Sequence, residues 1–325
     1  MARRSEFRRV GIHVNVDKVD HDGPANVVDK DDVIDIPPLL PDWSSLQMDV
    51  LAVVLSFLPV RERFRAGSVC QKWRRASLDP GCWREADLRD TEEVNEEIYD
   101  QLTRAVIVRS RAHLRSLSLR FCNDGLLKYI GTHCPLLEKI KIDEMDVDDW
   151  NRQCHNMNYD FKPSIGAIKR FVQGCPQLRS LHLFVIYERE KKELSEVVRV
   201  LMSGFPHLVS LYLDVSSAYL DVSAECSSIF ELPIHWKFFQ IDIDDIRFMV
   251  DHIPNLEVLG LRHACVTDAA LHLIGERLQC LRSLFLQFCS DGTREGIRSL
   301  KAARKDLNVT VKNRVKNGTT PINPR

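Results

Sequence analysis

Between Asp42 and Leu88 the chain reads DWSSLQMDVLAVVLSFLPVRERFRAGSVCQKWRRASLDPGCWREADL, and no other stretch constrains its architecture as much. Leu46, Val50, Leu51, Val54, Leu55 and Leu58 recur at helical spacing on one broad face. Pro59 interrupts this pattern, and a second apolar set follows at Phe64, Ala66, Val69, Cys70 and Trp73. The segment therefore predicts two or three short helices. A module of about 45 residues buries too small a fraction of its surface to be firmly stable alone. With this much Leu, Val and Trp, it is expected to offer apolar surface to a partner.

Behind this segment the chain repeats itself. L-x-x-L-x-L occurs as Leu114-Leu117-Leu119, Leu178-Leu181-Leu183, Leu208-Leu211-Leu213, Leu256-Leu259-Leu261 and Leu281-Leu284-Leu286, with variants at Leu137-Ile140-Ile142 and Leu307-Val309-Val311. The last two apolar positions of each unit are two residues apart, so they share one face of a strand. Pro135, Pro176, Pro206 and Pro254 each stand two residues before such a unit, and each follows an apolar set at helical spacing. Proline ends the helix and the chain turns into the next strand. Strand plus helix, returning at intervals of 23, 25 and 26 residues where the spacing is regular, is a leucine-rich-repeat signature. The fold expected is α/β: a small helical module, then a short solenoid with parallel strands on the concave side and helices outside. Two intervals are longer. The first contains an acidic insertion, Asp143 to Asp149; in the second we expect one more poor repeat around Phe239-Ile241-Ile243.

Composition narrows the function. Forty-five basic and 46 acidic residues give a net charge of −1, without the basic excess of a general nucleic-acid or membrane-surface binder. The longest apolar run, Val50 to Leu58, is too short to span a bilayer. The first 40 residues are polar, with a basic cluster at Arg3, Arg4, Arg8 and Arg9 and no secretory-type apolar core, so a cytoplasmic or nuclear protein with an unstructured tail is expected. The ten cysteines form no C-x-x-C pair. Cys70, Cys122, Cys134, Cys175 and Cys289 lie in apolar stretches and are expected to pack as reduced thiols. There is no phosphate-cradling Gly-rich loop, no H-E-x-x-H and no G-x-S-x-G. We expect neither catalysis nor a cofactor or metal.

The Asp42-Trp43 entry, Leu46 through Leu51, Leu55-Ser56-Phe57-Leu58, Val69-Cys70-Gln71-Lys72-Trp73-Arg74 and Trp83-Arg84 resemble an F-box. With the repeats, residues 42 to about 311 resemble the plant F-box/leucine-rich-repeat proteins. The division expected is a tail at 1–40, an F-box at 41–90, a helical linker at 91–112, repeats at 113–311 and a basic tail at 312–325. The resemblance implies a substrate receptor of a Skp1–cullin–F-box ubiquitin ligase, docking on the adaptor Skp1 through Leu46, Val50, Leu51, Val54, Leu58, Val69, Cys70 and Trp73. A protein target would lie on the concave sheet at Arg120, Lys141, His182, Phe184, Tyr212, Arg262 and Phe285. The bland reading keeps the first set as packing within the helical module and the aromatics of the second under a neighbouring loop. Gln47 stands where the family carries proline, and Arg61-Glu62-Arg63 is more charged than the usual turn. These departures keep open a rival class, a repeat-domain binding module whose F-box has decayed. On this reading Leu51→Asp with Val54→Asp removes Skp1 and spares the fold.

Overall fold

The structure is a computed structural model; it describes residues 46–89, 95–142, 163–186, 191–216, 241–262, 264–287, 289 and 292–312. The acidic insertion, the terminal tails, Asp42-Trp43 and Phe239 lie outside them.

Three helices open the described chain: α1 (Met48–Ser56), α2 (Val60–Ala66) and α3 (Gln71–Ser77), followed by a 3-10 turn at Pro80–Trp83. Pro59 is the N-cap of α2, so the break in apolar spacing is a helix boundary. Trp83 is fully buried and donates its indole N–H to the Ser77 carbonyl at 2.8 Å. Phe64 packs against it with ring centroids 4.9 Å apart. Arg109 reaches over both rings from α4 (Glu96–Ser110), 4.2 Å from the Phe64 centroid.

The chain then enters the sheet at once. Strand β1 (Glu85–Asp87) pairs in parallel with β2 (Ser116–Leu119), so the sheet starts before the first L-x-x-L-x-L unit. Strands β3 (Lys139–Ile142), β4 (Ser180–Ile186), β5 (Ser210–Ser216), β6 (Val258–Arg262), β7 (Ser283–Gln287) and β8 (Asn308–Lys312) follow in spatial order 1 to 8, all parallel. A helix lies between successive strands: α5 (Asp124–His133), α6 (Ile165–Gly174), α7 (Lys191–Gly204), α8 (Ile243–His252), α9 (Asp268–Arg277) and α10 (Arg294–Ala303). Leu117, Ile140, Leu181, Leu211, Leu259, Leu284 and Val309 stand in one register row and are all buried. The predicted α/β solenoid is what the chain forms.

Five helices from α5 onward start with a side-chain cap: Asn123, Ser164, Asp242, Thr267 and Thr293 accept from backbone N–H groups of the first turn, while the residue ahead of α7 lies outside the described residues. Cys134, Cys175 and Ile253, which precede prolines, close their helices at φ near −120° and ψ near 60°, outside the helical region as a pre-proline residue must be. One expectation fails. β5 pairs directly with β6, Ser210 opposite Val258, and no repeat intervenes. Ile241 is a buried residue ahead of α8, and Ile243 is the first residue of that helix. Apolar residues two apart served a helix start there, which a window that short cannot distinguish from a strand.

Cys122, Cys134 and Cys175 are buried free thiols, and burial pushes Cys134 up to about 12. Cys70 departs from expectation. It is exposed, because it caps the start of α3 at a surface turn.

Candidate binding surfaces

Helix α1 is polar only along the narrow side of Asp49 and Ser56, and its apolar residues cover more than one face. Leu51, Ala52 and Leu55 face inward, with Leu51 and Leu55 wholly buried. Val50, Val53, Val54 and Phe57 fall at i, i+3, i+4 and i+7 and face water; Val53 is 57% exposed and Phe57 82%. An uninterrupted apolar stripe on a surface helix marks a place where something docks. Met48, at the start of α1 but off this stripe, and Val69, 65% exposed in the α2–α3 turn, are further exposed apolar groups.

Of the eight residues expected at the adaptor contact, Val50, Val54, Val69 and Cys70 are exposed. Leu46, Leu58 and Trp73 are half-buried against the core. Leu51 is a correction: it belongs to the module's own core, since inward-facing leucines at 51 and 55 hold α1 to α3 and the 3-10 turn. The double variant at Leu51 and Val54 would therefore damage the fold as well as the surface. The reading from sequence missed Met48, Val53 and Phe57; a full projection of the helix at 100° per residue aligns Val53 and Phe57 with Val50 and Val54, but not Met48.

Arg61, Glu62 and Arg63 lie in the first turn of α2, and the last of them is not a surface residue. Arg63 is buried, and its Nε and Nη atoms donate to the carbonyls of Leu58 (2.7 Å), Ser56 (2.6 Å), Cys82 (2.7 Å) and Glu85 (2.6 Å). One guanidinium thus satisfies carbonyls at the end of α1, in the 3-10 turn and at the start of β1. Gln47 is the N-cap of α1 and provides no side-chain cap, yet the Leu51 N–H reaches its carbonyl at 2.9 Å and the helix begins without proline.

On the sheet, Ser118, Lys141, His182, Tyr212, Gly260, Phe285 and Thr310 form one row across β2 to β8, on the face opposite the buried leucines. His182 stacks on Tyr212, with centroids 5.1 Å apart and planes 24° from parallel. Tyr212 reaches Phe285 at 5.7 Å although β6 lies between their strands. It can do so because β6 has glycine at this row: a Cβ on Gly260 would sit 2.0 Å from Tyr212 Cδ1. Partial burial raises the Tyr212 hydroxyl above its ordinary value.

The next row holds Phe184, Asp214, Arg262 and Gln287. Asp214 is buried and bonded to the half-buried Arg262 at 2.9 Å. Phe184 is a second correction: with 5% of its surface exposed, it presents no aromatic face. It stands opposite Asp214, at a position where both side chains are enclosed. His182, Tyr212, Gly260, Arg262, Phe285 and Gln287 are among the groups lining a shallow hollow of about 170 Å³. The sheet thus brings His182, Tyr212, Arg262 and Phe285 together, with Lys141 one strand beyond His182 and Arg120 just past the end of β2. Gly260 was missed, since a residue without a side chain leaves no mark in a search for contact groups.

Comparison with known proteins agrees with both halves. Residues 43–85 match the F-box domain family. The chain is 24% identical to F-box protein SKIP1 of Arabidopsis thaliana over 43% of its own length and 54% of that protein. It is 28% identical to putative F-box/LRR-repeat protein 19 of the same plant, over 37% of this chain and 40% of the other. With putative F-box/LRR-repeat protein 22 of Arabidopsis thaliana it shares 29% identity over 75% of each. The aligned part spans about half or less of the first two relatives. The chain carries an F-box followed by a leucine-rich-repeat solenoid, the two-part architecture of F-box/LRR-repeat proteins.

Proposed function

We propose that the chain is the substrate-receptor subunit of a Skp1–cullin–F-box ubiquitin ligase, in the cytoplasm or nucleus, with the F-box on the Skp1-like adaptor and the concave sheet on a protein target. The observation that carries this reading is the stripe at Val50, Val53, Val54 and Phe57, which the chain leaves uncovered among the described residues. Full burial of such a side chain is worth about 1.5–3 kcal/mol, and four on one short helix make a strong anchor once an adaptor covers them. The receptor itself makes no bond. It raises the effective concentration of target near the ubiquitin donor.

The test is retention of a Skp1-type adaptor and a cullin by the purified chain. Val50→Asp with Val54→Asp changes only exposed positions, so adaptor retention should fall at least tenfold while the circular dichroism spectrum and thermal midpoint stay as they were. Wild-type chain that does not hold the adaptor at micromolar concentration would end the receptor reading and leave a repeat-domain binding module.

A further inference from the structure

We infer that the aromatic row on the concave sheet takes a short, extended, acidic segment of its target, which lies across the strands with one aromatic or large apolar side chain seated in the hollow beside Tyr212 and Phe285. This deepens the receptor reading and rests on it. Three observations carry it.

The first is the shape of the row. His182, Tyr212 and Phe285 make a near-continuous π surface across four strands, with the Tyr212 ring lying over Gly260, and a hollow of about 170 Å³ is recessed beside these rings. Rigid aromatic groups around a recess are the kind that anchor an interface.

The second is charge. On this face of β2 to β8 and just past β2, the described residues present the cations Arg120, Lys139, Lys141, Arg262 and Lys312 and one carboxylate, Asp214. That carboxylate is buried against Arg262. Glu85 and Asp87 stand on β1, where Asp87, in the same row as Lys141, is held by Arg89 at 2.5 Å and also feels the charge of Lys141. Cations thus outnumber carboxylates on this face, and a net positive field steers a ligand of the opposite sign.

The third is spacing. Neighbouring strands lie about 4.8 Å apart, so Lys141 on β3 is roughly 10–14 Å from the hollow between β5 and β6, and extended chain advances about 3.3 Å per residue. The carboxylates of the segment should therefore lie three or four residues from the anchor.

A library of random nine-residue peptides panned on the full chain, bound to its adaptor, reads this directly. We expect enrichment of one Phe, Tyr, Trp, Leu or Met with Asp or Glu three or four positions away. The enriched peptide should lose at least tenfold in affinity with Lys139→Glu plus Lys141→Glu, which alter only polar side chains on the sheet face. Gly260→Ala should weaken it too, because the new methyl displaces the Tyr212 ring. Enrichment of basic or uncharged sequences, no enrichment at all, or affinity unchanged by the charge reversal overturns the inference. Adaptor retention measured on the same preparation is a separate readout: its loss sinks the receptor reading, whereas a failed panning with adaptor bound sinks only this one.

Discussion

Arg63 shows how far a single residue's meaning depends on what folds around it. In the sequence it is one of three charges in a turn. In the fold it is buried, with four carbonyl partners, and burial draws its guanidinium below the ordinary value. Arg63→Leu keeps much of the volume but orphans those carbonyls, each of which is costly to leave unsatisfied. We expect a loss on the order of 3 kcal/mol, read as a lower urea midpoint with little change in slope. Asp245 offers a second test. It is buried, accepts from the Ser195 hydroxyl at 3.0 Å, and burial raises its carboxyl above the usual range. The folded chain therefore binds this proton more tightly than the unfolded chain does. Between the ordinary carboxyl value of about 4 and the raised folded value, stability should climb as pH falls; above both, the full cost of the buried charge is present. Asp245→Asn should flatten that dependence in denaturant midpoints measured from pH 4 to 7. Neither role was legible beforehand, because residue type reports charge and only the neighbours set burial.

At the scale of elements, much more was legible. Every L-x-x-L-x-L unit is a strand or ends in one, and every apolar set before Pro135, Pro176, Pro206 and Pro254 is a helix. Proline is a sufficient signal without being a necessary one. Leu278 and Arg304 close their helices with φ and ψ close to those before proline, yet Gln279 and Lys305 follow them. The turn belongs to the repeat, and proline only stabilises it. Helix packing was not legible. A Cβ on Gly174 of α6 would sit 1.4 Å from the Gly131 carbonyl oxygen of α5, so these helices meet backbone to backbone. Gly174→Ala must push them apart. We expect a cost of about 1–3 kcal/mol, in the range of overpacked cores, against the small gain alanine brings to an isolated helix; thermal unfolding decides the sign. The stripe on α1 sits between these cases. Val50 and Val54 were read from the sequence and Val53 and Phe57 were not, because which side of so apolar a helix faces inward depended on what packs there.

Over the whole molecule, the helical module and the solenoid are continuous. Trp83 and Ala86 belong to the same buried cluster as the sheet leucines, and β1 follows the 3-10 turn after a single residue. The two parts should therefore unfold together. Tryptophan fluorescence, confined to Trp73 and Trp83 by replacing Trp43, Trp150 and Trp236 with Phe, and far-ultraviolet circular dichroism, dominated by the repeats, are expected to share one urea midpoint. An earlier fluorescence transition would mean a module that melts on its own. What the amino-acid order determined unaided was local and periodic: helix then strand, the turn between them, and the class of fold, because apolar spacing and chain stiffness act within a few residues. What only the tertiary structure decided was which apolar groups stay exposed, that β5 meets β6 without a repeat between, and that His182, Tyr212 and Phe285 share a row over Gly260. Those outcomes turn on contacts between residues far apart in sequence, where register and burial are settled by the packing of the whole rather than by any segment's own preference.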